Sequence, residues 1–116
     1  MSNSSASEDS EPVFRIDKFK VPTVARAEFP KRVRASHQFV RTLPGFVRDA
    51  VFVQAGGPGA FNFISLVEWE NAAALESATT AAAAEYRASG FNPKEFIARL
   101  SIEADIANNT QIKPVV

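Results

Sequence analysis

Apolar residues fall on both alternating sets of residues 61–71, Phe-Asn-Phe-Ile-Ser-Leu-Val-Glu-Trp-Glu-Asn. Odd positions carry Phe61, Phe63, Ser65, Val67 and Trp69; even positions carry Asn62, Ile64, Leu66, Glu68 and Glu70. Successive side chains of a strand point to opposite faces, so this stretch predicts a strand covered on both sides. Residues 46–54 repeat the pattern, with Phe46, Ala50 and Phe52 expected on one face and Val47, Val51 and Val53 on the other. Residues 13–21 read as a third strand, Phe14 and Ile16 opposed to a set holding Val13, Arg15, Asp17, Phe19 and Val21. Residues 100–106 alternate cleanly as a last strand, Leu100, Ile102, Ala104 and Ile106 against Ser101, Glu103 and Asp105.

Between these runs the period changes. Phe29, Val33, Val40 and Leu43 form one stripe of an amphipathic helix over residues 24–43, closed by Pro44-Gly45. Pro30 demands either a kink or a regular helix that begins near Phe29. Asn71 is a natural N-cap for a second helix that ends at Gly90, with Leu75, Ala78, Ala82 and Tyr86 or Ser89 inside. The small side chains of residues 81–84 predict a close approach of that helix to its sheet. Asn92-Pro93-Lys94-Glu95 opens a short third helix. The Gly56-Gly57-Pro58-Gly59 loop leads into a strand, not a helix N-terminus, so it reads as a hairpin connection and not a phosphate cradle.

The order strand, helix, strand, strand, helix, short helix, strand is that of an α+β, ferredoxin-like βαββαβ fold with a four-stranded antiparallel sheet. Two main helices can cover one face of the sheet. The apolar second face then calls for a twofold homodimer that encloses a cavity between open faces. Residues 1–12, almost devoid of apolar side chains, are expected to be a disordered tail, residues 13–107 the folded domain and residues 108–116 a C-terminal tail.

Composition narrows the chemistry. A net charge of zero removes the global attraction expected of a nucleic-acid binder. The absence of cysteine and the single histidine argue against cysteine-ligated and multi-histidine metal sites, so no metal is expected. No apolar run approaches the ~18 residues of a membrane span, and residues 1–12 lack signal-peptide character, so a cytoplasmic protein without a membrane partner is expected. Ten Phe against one Tyr and one Trp suggest a core or pocket built from rings without polar handles.

Trp69-Glu70-Asn71-x-Ala73-x-Leu75-Glu76-Ser77 followed by Tyr86, with the Pro44-Gly45-Phe46 turn, resembles the corresponding stretches of antibiotic biosynthesis monooxygenase domains. The resemblance covers roughly residues 13–106 and implies a dimeric α+β barrel. It further implies a cofactor-independent monooxygenase acting on an aromatic or polyketide-like small molecule in a dimer-associated apolar pocket. Such a protein needs a dry apolar pocket and a polar group that takes a proton. Trp69 matches the family tryptophan that lines the cavity, Ser65 stands four residues before it on the same strand face where some members carry Asn, and Tyr86 can point its hydroxyl inward; these three are the candidate catalytic residues. Phe61, Phe63, Val67, Arg15 and Asp17 are candidate substrate contacts, and Asn62 joins them if a bulge shifts the register.

The chain departs from the family in having only Ala where many members place a histidine on the second helix, which disfavours haem. His37 is expected to be a boundary residue of the first helix, because a cavity on the far side of the sheet lies beyond its reach. Arg15 and Asp17 are expected to face Glu103 and Asp105 across neighbouring strands, as a structural ladder or as a proton-accepting cluster. The alternatives to an oxygenase are a non-enzymatic small-ligand-binding or stress-related dimer, and an isomerase using Asp17, Glu103 or Asp105 as base.

Overall fold

The structure, a computed structural model, describes residues 10–113. Its elements are β1 (Val13–Lys20), α1 (Phe29–Val40), β2 (Phe46–Val53), β3 (Phe63–Trp69), α2 (Ala72–Ser89), α3 (Pro93–Arg99) and β4 (Glu103–Asn109), with a short 3-10 turn at Thr23–Ala25 before α1. The strands form one antiparallel sheet in the order β2-β3-β1-β4, the ferredoxin-like arrangement expected from the order of elements. Most of the expected disordered tail, residues 1–9, lies outside the described residues, as do residues 114–116.

Local chemistry sets the boundaries. Pro30 sits in the first turn of α1, where its missing N–H leaves no hydrogen bond unmade, so the helix begins at Phe29 without a kink. Asn71 Oδ1 accepts from the Ala74 N–H at 2.8 Å and Gly90 closes α2 in the left-handed conformation. Asn92 caps α3 in the same way, accepting from the Glu95 N–H. Leu100 ends α3 rather than opening β4, because its N–H still bonds the Phe96 carbonyl. The last strand therefore starts at Glu103 and runs through Asn109, two residues into the expected C-terminal tail.

Cross-strand register assigns the faces. Phe46 pairs with Trp69, but Arg48 pairs with Glu68, so a bulge absorbs Val47. Beyond the bulge Asp49 shares a face with Val67, and Ala50 and Phe52 lie with Leu66 and Ile64. The expected grouping of Phe46 with Ala50 and Phe52 is thereby split between the two faces. Glu103 and Asp105 stand beside Lys20 and Lys18 and cannot meet Arg15 and Asp17, which share their face with Asn108, Ile106 and Ala104.

The helices cover the odd-numbered face of β3, and two apolar clusters hold them there. At one end Phe29 of α1 packs edge-on to Phe19 and Phe63, at ring separations of 4.9 and 5.2 Å, together with Val21, Ala25 and Ile102. At the other end Trp69 meets Phe46 edge-on at 6.1 Å and packs with Val67, Leu75 and Ala78. Each of the larger side chains among these contributes about 1.5–3 kcal/mol by leaving water. Between the clusters the sheet presents a polar band, Arg15, Asp17, Ser65 and Asp49.

Candidate active site

A cavity opens over the polar band. One lobe, of about 320 Å³, lies between the sheet and α2, bounded by Trp69, Ser65, Leu75, Ala82 and Tyr86. A second, of about 260 Å³, continues toward α3 and shares Arg15, Asp17, His37, Ser65 and Tyr86 with the first. The Ala-rich helix does not close onto the sheet as its small residues suggested. The short alanines leave space unfilled between the contact of Trp69 with Leu75 at one end and Tyr86, which packs on Phe91 at 5.3 Å, at the other. This cavity lies inside one chain, on the odd-numbered face of β3, and the chain's own helices cover that face, which was expected to be open to a second copy.

His37 is the feature that sequence reasoning assigned wrongly. It is 7% exposed, and both ring nitrogens are engaged. Nε2 lies 2.7 Å from Ser65 Oγ, and Nδ1 lies 3.1 Å from Asp49 Oδ2. Arg41 clamps Asp49 in turn, its Nε donating to Oδ2 at 2.8 Å and its terminal nitrogen to Oδ1 at 2.9 Å. These hydrogen bonds hold the Asp49 carboxyl below its ordinary range, with His37 assisting and burial opposing. Helix α1, strand β2 and strand β3 each contribute one member of this chain. Asp49 reaches it only because the bulge at Val47 turned that residue to the helix side.

A recognisable signal for His37 existed. It falls between Val33 and Val40 on the buried stripe of α1, and a buried imidazole needs partners for both nitrogens. Ser65 is the one polar residue on the odd face of β3 from Phe63 to Trp69, so the two are natural partners once α1 lies over that face.

Beside this relay, Arg15 Nε donates to Asp17 Oδ1 at 2.6 Å. Asp17 stands directly across from Ser65 in the sheet. Burial pushes its carboxyl above the ordinary range, and the nearby Arg15 and His37 oppose the shift. Of the residues expected in a pocket, Trp69, Ser65, Tyr86, Val67, Arg15 and Asp17 line this one. Phe63 instead belongs to the core cluster around Phe29. Asn62 is committed to the backbone of Val21, accepting its N–H at 2.9 Å and donating to its carbonyl at 3.0 Å. Phe61 precedes β3 and is not among the lining residues.

Sheet order, helix placement and this cavity define a ferredoxin-like α+β protomer with a polar strip across an apolar pocket. The family model for antibiotic biosynthesis monooxygenases matches residues 12–88, and the chain belongs to that family. Solved structures of the same fold include a candidate monooxygenase from Shewanella loihica PV-4, with TM-score 0.70, 19% identity, and 90% of this chain and 98% of the other covered. SnoaB, a cofactor-independent oxygenase from Streptomyces nogalater, gives TM-score 0.63 at 17% identity, with 90% and 97% covered. The haem-degrader MhuD from Mycobacterium tuberculosis gives 0.66 at 21% identity, with 90% and 99% covered. No curated protein matches the chain in sequence.

Proposed function

We propose that this protein is a cofactor-independent monooxygenase that oxidises a small aromatic ligand held between its sheet and its helices. The observation that carries the proposal is the contact of His37 Nε2 with Ser65 Oγ at the cavity wall. It supplies a proton acceptor for a pocket whose second helix offers no histidine.

An anthrone-type substrate has a CH₂ group acidified by the ring carbonyl. Ser65 Oγ takes a proton from that carbon as its own hydroxyl proton passes to His37 Nε2, and Asp49 stabilises the imidazolium. Arg41 keeps Asp49 ionised for this task. The free N–H groups of Arg15 suit the enolate oxygen that develops, in a pocket where exclusion of water strengthens the interaction. The substrate carbanion then reduces O₂, and the new C–O bond gives a peroxide. The imidazolium returns its proton to the peroxide, which eliminates water. The sum is CH₂ plus O₂ to C=O plus H₂O, so the substrate supplies all four electrons. Trp69 forms the flat wall against which the rings stack.

A haem reading fits this chain poorly. His37 is its only histidine, and both nitrogens already serve Ser65 and Asp49. In the described residues no helix is long and apolar enough to cross a membrane. The open sheet face, with Phe52 half exposed beside Ile64 and Leu66, suits pairing with a second copy.

Oxygen uptake with anthrone tests the proposal. One O₂ consumed per anthraquinone formed, at a rate well above buffer and lowered about 10²-fold or more in His37→Gln, is the expected result. A rate equal to buffer overturns it. Conversion of a substrate without O₂ consumption would instead mark the same relay as that of an isomerase.

A further inference from the structure

Arg32 lies on α1 one turn before Ser36 and lines the lobe of the cavity that extends toward α3. Its guanidinium stacks on Phe91, 3.5 Å from the ring centroid, with Tyr86 at 5.4 Å. Its Nε is buried and has no hydrogen-bond partner, the only such side-chain atom among the described residues. Arg15, Arg41, Arg48 and Arg99 are all paired with carboxylates. Arg26, Arg34 and Arg87 are not, but water solvates them. Among the described residues Arg32 alone is a partly buried cation without a carboxylate partner.

A buried donor without an acceptor is costly, and so is a charge without its opposite. Such a group persists where something outside the chain satisfies it. The carboxylate that lines the same lobe, Asp17, is already bound to Arg15. The stack on Phe91 fixes the guanidinium plane, a geometry that suits a planar, bidentate anion meeting its edge. Phe29, Phe96 and Ile97 surround the rest of the lobe with apolar surface.

We propose that this lobe binds the carboxylate of an acidic aromatic ligand through Arg32, with the rings extending toward Ser65 and Trp69. The inference rests on the reading of the cavity as the ligand site and names the substrate class that site selects. It does not depend on the reaction.

The test is a comparison of 3-hydroxy-2-naphthoate with 2-naphthol, which share their rings and phenol but differ in the carboxylate. Trp69, the single tryptophan and a wall of the cavity, reports binding by fluorescence quenching. The expected result is that the naphthoate binds about tenfold or more tightly than the naphthol. Arg32→Gln should remove that preference and leave naphthol affinity unchanged, which also shows that the pocket has kept its shape; Arg32→Lys should retain part of it. Equal affinity for the two probes in the wild-type protein, a preference that survives Arg32→Gln, or binding of neither probe overturns the proposal. No oxygen or turnover enters this measurement, so its failure is distinct from a failure of oxygen uptake.

Discussion

Ser65 Oγ and His37 Nε2 lie 2.7 Å apart although 28 residues separate them, one on the central strand β3 and the other on α1. If they act as one relay, their losses do not add. Ser65→Ala and His37→Gln should each lower the rate of anthrone oxidation by about 10²-fold or more, and the double variant should be no worse than His37→Gln alone. Rates that multiply would show two independent roles. Ser65→Ala should also cost about 1–3 kcal/mol in urea unfolding, since it leaves a buried ring nitrogen without its partner.

Asp49 and Asp17 impose opposite pH dependences. Asp49 has a native pKa lowered chiefly by the Arg41 hydrogen bonds, so the unfolded chain binds more protons than the native one in acid. Its contribution is present above about pH 4, the ordinary range of Asp, and is lost as pH falls through the lowered native value. Asp17 has a native pKa raised chiefly by burial, so its contribution is present below that same ordinary range and is lost as pH rises through the raised value. Asp49→Asn should therefore flatten the acid limb of a plot of melting temperature against pH, and Asp17→Asn should flatten the part just above pH ~4. An acid limb unchanged in Asp49→Asn would show that Arg41 and His37 do not hold that carboxylate in solution.

Gly45 sets how closely β2 and α2 approach. A Cβ at this position would lie 2.4 Å from the Ala74 Cβ, and the backbone there has a φ of 85°. Gly45→Ala combines a steric clash with a left-handed backbone that a side chain disfavours, and should cost at least ~1–3 kcal/mol by chemical denaturation. A neutral substitution would mean that the turn before β2 can shift without loss.

Phe52 is 52% exposed on the sheet face that no helix of its own chain covers. A second copy placed there would bury it. Sedimentation equilibrium should give twice the chain mass for the wild-type protein and a single chain mass for Phe52→Glu. A wild-type monomer at micromolar concentration would remove the dimer from the account.

The fold was open to sequence reasoning because each element carries its own period and punctuation. Residues 61–71 alternate, Asn71 and Gly90 bracket a helix, and Asn92-Pro93 starts another. The site was harder to foresee, for two physical reasons. The bulge at Val47 reverses the phase of β2, and nothing in Phe-Val-Arg-Asp announces a residue that takes no place in the ladder. That bulge brings Asp49 to the face of Val67 and the cavity. His37 was read as a boundary residue because the pocket was expected beyond the sheet, on the side the helices do not reach. The misplaced pocket came from the assumption that helices pack down on their strands. Ala82 and Ala83 are too small to do so when Trp69 and Tyr86 stand at either end. The doubled apolar pattern of β3 thus divides between two surroundings: its odd face meets the chain's own helices and cavity, and its even face is the one that no helix of the chain covers.

The central claim is that ligand binds on the helix side of the sheet, inside one protomer, against the polar band. A crystal structure with anthraquinone bound tests this most directly. The account predicts density between α2 and the sheet, with the rings against Trp69 and a quinone oxygen within hydrogen-bond reach of Ser65. Density on the opposite face, against Leu66 and Phe52, would contradict it.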